Sequence, residues 1–325
     1  MKLAMLALIT SFILCFVAVR ISIPLFKKLK AGQPILKYVK EHVAKSGTPT
    51  MGGLCFIVPS LLVSIFFLRG SGRIFALTVA ICLAYLVVGF LDDFIKIKSK
   101  NNAGLKPYQK ILFQIAIASI GAVFCYYNGL DFLHLPYLKK TIFIGKWIIP
   151  LVAVIFLAVT NSVNLTDGLD GLAGFVSFVY LMAMGLILAM QMQSENLVNG
   201  YELKNLTTLS FSVAGGVLAF LCFNFHKASL FMGDTGSMAL GGIIASLSVF
   251  SGNSLYIPLL GIMYVVSSIS VIVQVAWFKV KNRRIFLMAP FHHHLQQKGY
   301  SEGKIAFSYA TITFLVAISL IVSLL

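Results

Sequence analysis

Apolar residues run for membrane-length distances along this chain, at 3–25, 52–68, 74–91, 111–127, 147–163, 172–190, 206–223, 237–250, 255–278 and 305–325. Short polar segments part them. A helix needs roughly 20 apolar residues to cross a bilayer, and a barrel would show shorter alternating segments. The pattern therefore predicts an all-α, polytopic integral membrane protein with about ten transmembrane helices. The eighth stretch is short, and Gly241-Gly242 blurs its start. No hydrophilic domain interrupts the series, so residues 1–325 are expected to form a single membrane domain. The first stretch follows a lysine as a signal peptide would, but it is longer than a usual signal core and has no small-x-small cleavage site; it is expected to be a span.

Two polar connections break the monotony. Segment 128–146 alternates apolar and β-branched residues around Pro136 and Lys139-Lys140, which predicts a small hairpin. Segment 191–206, QMQSENLVNGYELKNL, is predicted as a polar connection with room for a helical turn. Neither carries a convincing chemical signal.

Composition sharpens the class. The chain is 59% hydrophobic and 11% charged, with a mean hydropathy of +0.93, outside the range of soluble globular domains. The net charge of +16 does not point to nucleic acid, because the basic residues sit in short loops between spans, where they set topology and meet anionic lipid or phosphate. Five cysteines lie scattered in apolar runs without CxxC spacing and read as small buried hydrophobes.

The basic residues also orient the chain. The first loop (26–51) holds six lysines, the third (92–110) five and the ninth (279–303) five Lys or Arg, whereas the even-numbered loops and the N-terminus together hold seven. Odd loops are thus expected to be cytoplasmic and both termini external. On those same odd loops lie Lys45, Asp92, Asp93, Asn161, Asn164, Asp167, Asp170, Asn224, Asp234 and the triplet His292-His293-His294. Polar residues that chance would scatter are gathered on one face.

Each cluster has two readings. Asp92-Asp93 is a solvated helix end or half of a site; successive helical side chains diverge by about 100 degrees, so both reach one ion only if the helix stops there. In 161–174, NSVNLTDGLDGLAG, amides and carboxylates recur every third residue beside glycines with the same step. That pattern makes either a polar helical stripe beside a bare strip or a Gly-rich turn with Asn and Asp caps. In 224–236, NFHKASLFMGDTG, Asp234 precedes a helix, and Phe231 is either a ring for stacking or an interface anchor. Three consecutive histidines cannot share one metal from a regular helix, and no cysteine accompanies them; they suit phosphate or sugar contacts, or a plain basic loop. KSGTPTMGG (45–53) offers hydroxyls, a lysine and glycines without the phosphate-loop spacing. Together, Asp92, Asp93 and Asp234 suit an oxygen-ligated Mg²⁺ beside a phosphorylated substrate.

LDDF, NLTDGLDG, FMGDTGS and PFHHH, in this order on alternate loops, resemble the polyprenyl-phosphate N-acetylhexosamine-1-phosphate transferases. Within that superfamily, KSGTPTMGG and the uninterrupted PFHHH look like the phospho-N-acetylmuramoyl-pentapeptide transferase branch; relatives acting on other nucleotide sugars more often show PRxGG and a broken His motif. The resemblance covers about 45–299. It implies transfer of phospho-MurNAc-pentapeptide from its UDP carrier, UDP-MurNAc-pentapeptide, to undecaprenyl phosphate, giving lipid I and UMP with Mg²⁺ as cofactor. The reaction would take place at the cytoplasmic face of the bacterial inner membrane.

Carried over by motif, Asp92, Asp93 and Asp234 form the catalytic centre and hold the metal. Asn164, Asp167, Asp170, Asn224 and Phe231 line the nucleotide side, with Asn161 a further candidate from the same run. Lys45, His292, His293 and His294 contact phosphate or uridine, and Lys96, Lys100 and Lys110 hold the anionic substrates. Asp92 is the expected base toward the lipid phosphate, with a carboxylate nucleophile as the alternative. The resemblance also implies a homodimer and a ninth span broken near the membrane. Gln296 departs from the Glu expected after the histidines. The rival readings are a related transferase using UDP-GlcNAc and, more distantly, a transporter, which would place carboxylates near the midplane.

Overall fold

A computed structural model of the chain describes residues 1–28, 47–70, 72–99, 104–192, 197–225 and 227–325. Among them the long apolar stretches are helices: α1 (Lys2–Lys28), α2 (Gly53–Phe66), α3 (Arg73–Ser99), α4 (Pro107–Tyr127), α5 (Ile148–Thr166), α6 (Leu172–Gln191), α7 (Gly200–Asn224) and α8 (Gly233–Phe250). Short α9 (Ile257–Leu260), α10 (Ile262–Lys281), short α11 (Phe291–Gln297) and α12 (Glu302–Leu324) follow. By length and composition eight of these can cross a membrane, while α2, at 14 residues, is shorter. The all-α polytopic expectation is met.

Helices α7 and α8 form the centre, and their sequences show why. α7 is rich in Ser, Thr and Gly, residues that let helices approach closely where lipid offers no hydrophobic force to drive them together. A Cβ at Gly215 would lie 2.2 Å from the carbonyl oxygen of Leu8, and one at Gly216 would lie 2.1 Å from Ser60 Oγ, so α1 and α2 rest directly on the α7 backbone. Buried hydroxyls return their protons to the preceding turn, as Thr207 does to the Leu203 carbonyl (2.8 Å) and Ser248 to that of Ile244 (2.9 Å). Large side chains point the other way. Leu6, Ile9, Ile13 and Leu14 on α1, and Phe307, Phe314 and Leu315 on α12, are exposed, a surface suited to lipid.

The predicted hairpin is present. β1 (Phe132–Leu135) and β2 (Lys140–Phe143) pair antiparallel, with Phe132 opposite Phe143 and Leu135 opposite Lys140. His134 N–H donates to the Gly252 carbonyl (2.8 Å), and Phe132 covers Gly252, so the hairpin seats on the turn after α8. The C-terminal end of α3 and the N-terminal end of α8 lie at the opposite end of the bundle. The connection before α7 is shorter than expected, because α7 already begins at Gly200, where the Asn199 side chain accepts the N–H of Tyr201 (2.8 Å). The ninth stretch is interrupted at Gly261, between α9 and α10.

Candidate active site

Asp92 and Asp93 sit inside α3, which continues to Ser99. The expectation that the helix must stop for both to reach one point is therefore corrected. The reason is Gly89, one turn earlier: a Cβ there would lie 2.2 Å from the carbonyl oxygen of Asp234, so the start of α8 lies directly against α3. Asp93 then caps that helix from across the interface. Its Oδ1 accepts the N–H of Asp234 (3.2 Å), and its Oδ2 accepts the N–H (2.9 Å) and hydroxyl (2.7 Å) of Thr235. A carboxylate so engaged is a clamp that aims Asp234.

Carboxylate oxygens of Asp92, Asp93 and Asp234 come within 4.8 Å of one another. Two lysines hold the cluster together. Lys96 pairs with Asp92 and reaches Asp234 Oδ2 (3.1 Å), and Lys110, from the first turn of α4, reaches the same oxygen (2.7 Å). Asn164 donates to the other oxygen of Asp234 (2.7 Å) and to Ser237 Oγ (2.8 Å), while Leu105 N–H donates to Asp92 Oδ1 (2.9 Å). Both Asp92 and Asp93 are buried. Three carboxylates against two ammonium groups leave a cluster that attracts a further cation, and ammonium groups that an anionic substrate can recruit.

The segment around Asp167 is a turn, and the continuous helical stripe is corrected. α5 ends at Thr166, and Gly171, with φ of +74°, starts α6 in a left-handed conformation that suits glycine. Half-buried Asp167 faces the centre; desolvation, reinforced by the charges of Asp234, Asp93 and Asp170, raises its carboxyl well above the ordinary carboxylate range. Asp170 and Asn224 hold loops. Asp170 Oδ2 accepts the N–H of Ala228 (2.9 Å), Asn224 Oδ1 accepts that of Gly171 (2.9 Å), and the Asn224 amide donates to the Leu230 carbonyl (2.9 Å). The backbone of half-buried Phe231 pairs with the 49–52 segment: its N–H donates to Pro49 and its carbonyl accepts from Gly52 (2.8 and 2.9 Å). The 47–53 loop and the start of α8 are thus one unit. Lys45 and Lys100 lie outside the described residues.

Asn161 is not brought to the cluster. Its amide pairs reciprocally with Gln114 of α4 (2.9 and 3.3 Å) and donates to the Leu157 carbonyl (2.7 Å), deep between helices. Asn161→Leu should therefore lower the unfolding free energy by about 1–3 kcal/mol, by orphaning Gln114, and leave the KM for the donor nucleotide unchanged. Thermal unfolding in detergent beside steady-state kinetics checks this.

The three histidines part company in α11. His292 is fully buried, both ring nitrogens without a hydrogen-bond partner among the described residues, and burial, reinforced by His293, pushes its pKa down to about 3; it is neutral at physiological pH. Its Nε2 lies 2.5 Å from where a Cβ on Gly168 would sit, so the histidine helix closes on the bare backbone of the α5–α6 turn. His293 bonds to Gln296 (3.0 Å). His294 Nδ1 accepts the Leu287 N–H (3.1 Å), and its ring packs on Phe286 and Phe291, which commits it to the 284–291 segment. Thr235, Ser237 and Gly89, which position the acidic cluster, are not singled out by the sequence. The first two stand inside GDTGS, and their polarity next to Asp234 was the available signal.

A family model described as Glycosyl transferase family 4 matches residues 74–252, more than half the chain and the part that carries the acidic cluster. Fold and site are those of a polytopic membrane transferase. A second match, Phospho-N-acetylmuramoyl-pentapeptide-transferase signature 1, covers residues 45–57, the loop paired with the start of α8. Proteins named phospho-N-acetylmuramoyl-pentapeptide-transferase from Thermoanaerobacter sp. (strain X514) and Clostridium perfringens (strain 13) are 39% and 41% identical over 314 and 315 residues, covering 95% of either chain. One from Clostridioides difficile (strain 630) is 38% identical over 311 residues, 94% of this chain and 93% of its own. The chain belongs to the phospho-N-acetylmuramoyl-pentapeptide transferases, enzymes of lipid I formation in peptidoglycan synthesis.

Proposed function

We propose that the protein transfers phospho-MurNAc-pentapeptide from UDP-MurNAc-pentapeptide to undecaprenyl phosphate, giving lipid I and UMP, with Mg²⁺ and at the cytoplasmic face of the membrane. The observation that carries this reading is the convergence of Asp92, Asp93 and Asp234 beside Lys96 and Lys110 at one end of the bundle. A water-soluble donor and a lipid-tethered acceptor meet only at such an interface. The lysine surplus of the odd-numbered loops supports the cytoplasmic assignment. A homodimer rests on the family resemblance alone.

The residues fit a hard divalent cation. The donors are oxygen only, and the buried Thr50 hydroxyl, without a hydrogen-bond partner among the described residues, stands with Asp93 Oδ2 around Gly233, where a Cβ would meet them at 2.7 and 2.3 Å. Asp234 would hold the ion, with Asp93 fixing its geometry through the N–H groups of Asp234 and Thr235. When bound, Mg²⁺ would screen the diphosphate and stabilise UMP as leaving group. Lys96 and Lys110 would turn from Asp234 to substrate phosphate oxygens. Asp92, losing its ammonium partner as Lys96 turns, would gain proton affinity and accept the proton of the lipid phosphate. A cleft of about 670 Å³, lined by Val271, Gln274, Val275 and Phe278 of α10 with Lys279 and Arg284 among its walls, offers apolar surface for the polyprenyl chain.

The test is direct. Purified protein with UDP-MurNAc-pentapeptide and undecaprenyl phosphate should release UMP and form a lipid-linked product. EDTA should abolish both, and Mg²⁺ should restore them. Turnover of UDP-GlcNAc in place of the muramoyl donor would assign the chain to a different branch, and a phospho-sugar trapped on Asp92 would replace the base role with nucleophilic attack.

A further inference from the structure

The β1–β2 hairpin lies at the end of the bundle away from the acidic cluster, and its two strands meet different surroundings. Phe132 and Leu133 of β1 are buried, whereas all four residues of β2, Lys140, Thr141, Ile142 and Phe143, are exposed. The tip between the strands is tightly wound: Tyr137 and Lys139 both take left-handed backbone, with φ of +66° and +48°. Tyr137, Leu138 and Lys139 are exposed as well. A hairpin that shows Leu138, Ile142 and Phe143 on its surface, with Phe143 66% exposed, is poorly suited to water on that side.

Depth in the bundle indicates what covers it. The Tyr137 hydroxyl meets Ser319 Oγ (3.2 Å) on α12. Ser319 stands seventeen positions after Glu302, whose carboxylate accepts the Asp170 N–H at the other end of the bundle. It therefore lies about 25 Å along the helix, near the far boundary of a hydrocarbon core about 30 Å thick. Tyr126 and Tyr127 close α4 at this same end, and Trp147 follows β2 directly; all three are exposed. Tyr and Trp gather where headgroups meet acyl chains.

Three ammonium groups stand in this aromatic belt. Lys139, Lys140 and Lys146 are exposed, and none forms an ion pair among the described residues. Asp131 is the only acidic residue of segment 128–146. Apolar side chains would accept any lipid, but ammonium groups at headgroup level favour one that carries net negative charge.

We propose that the hairpin is a binding surface for anionic phospholipid in the leaflet away from the acidic cluster. Lys139, Lys140 and Lys146 hold the headgroup phosphate, and Leu138, Ile142 and Phe143 meet the acyl chains. Phe132 and His134 seat the hairpin on the turn after α8, and Tyr137 joins it to α12, so lipid held there braces both helices at their far ends. None of this depends on the reaction proposed above.

Fluorescence provides the test. The chain has two tryptophans, so Trp277→Phe leaves Trp147, directly after β2, as the sole indole. The full-length variant is reconstituted in phosphatidylcholine vesicles with a minority of phosphatidylglycerol, brominated on the acyl chains of one lipid or the other; bromine quenches an indole that it touches. A lysine near an anionic surface favours it about fivefold, less where salt screens it, so quenching should report phosphatidylglycerol preferred about tenfold over phosphatidylcholine. The preference should fall below about twofold when Lys139→Gln, Lys140→Gln and Lys146→Gln are combined. It should survive combined Arg69→Gln, Arg73→Gln and Lys204→Gln, which neutralise exposed cations elsewhere on the same end of the bundle. Equal quenching by the two lipids, a preference retained without the hairpin lysines, or equal loss in both triple variants overturns the proposal. The first of these outcomes is read without any lysine variant, so it stands whether or not those variants fold.

Discussion

Asp234→Asn should reduce UMP release by about 10³-fold while leaving the protein folded. The substitution keeps an oxygen to accept the Asn164 amide (2.7 Å), but it removes the charge on which Lys96 and Lys110 converge at 3.1 and 2.7 Å. It also takes one of three carboxylates from a cluster that is otherwise cationic on one side. The measurement is single-turnover UMP release across a Mg²⁺ titration, beside thermal unfolding of the same preparation. Activity above about a tenth of wild type, at any Mg²⁺ concentration, would remove Asp234 from the centre.

The second large effect needs no change to any chemical group. Gly89→Ala places a methyl 2.2 Å from the carbonyl oxygen of Asp234 and 2.5 Å from its carbonyl carbon, and backbone cannot step aside as a side chain tip can. The start of α8 must retreat from α3. Asp93 then loses its grip on the N–H groups of Asp234 and Thr235, and the carboxylates separate. A displacement near 1 Å costs about 10²-fold in rate, and overpacking of this kind costs about 1–3 kcal/mol in stability. Gly200→Ala is the control: nothing lies within 4 Å of its added methyl, and the change should fall within about 0.5 kcal/mol. Equal activities for the two variants would show that the α3–α8 contact does not set the site.

Much of this was legible in the sequence, and the reasons are specific. Runs such as 74–91 announce a membrane helix because lipid demands both apolar side chains and an internally bonded backbone. Alternation around Pro136 announced the hairpin. The three aspartates stood out because the chain has only ten acidic residues. What escaped depended on neighbours far apart along the chain. Asn161 shares its spacing with Asn164, yet one faces Gln114 and the other Asp234, a difference set by which helix packs on each side of α5. Asp92 and Asp93 look equivalent in LDDF, and only the docking of α8 turns one into a clamp. Glu302 drew no reading at all, because nothing local says that Asp170, 132 positions earlier, donates to it.

The close backbone contacts around α8 carry a pharmacological consequence. Gly53 and Gly89 meet the first turn of α8 so tightly that even a methyl collides with main-chain atoms, at 2.3 and 2.2 Å, and one on Gly233 would strike Asp93 Oδ2 at 2.3 Å. A compound resting on the peptide groups of this turn would face a surface that mutation cannot easily roughen. Resistance arising there would have to sacrifice the enzyme along with the drug's foothold.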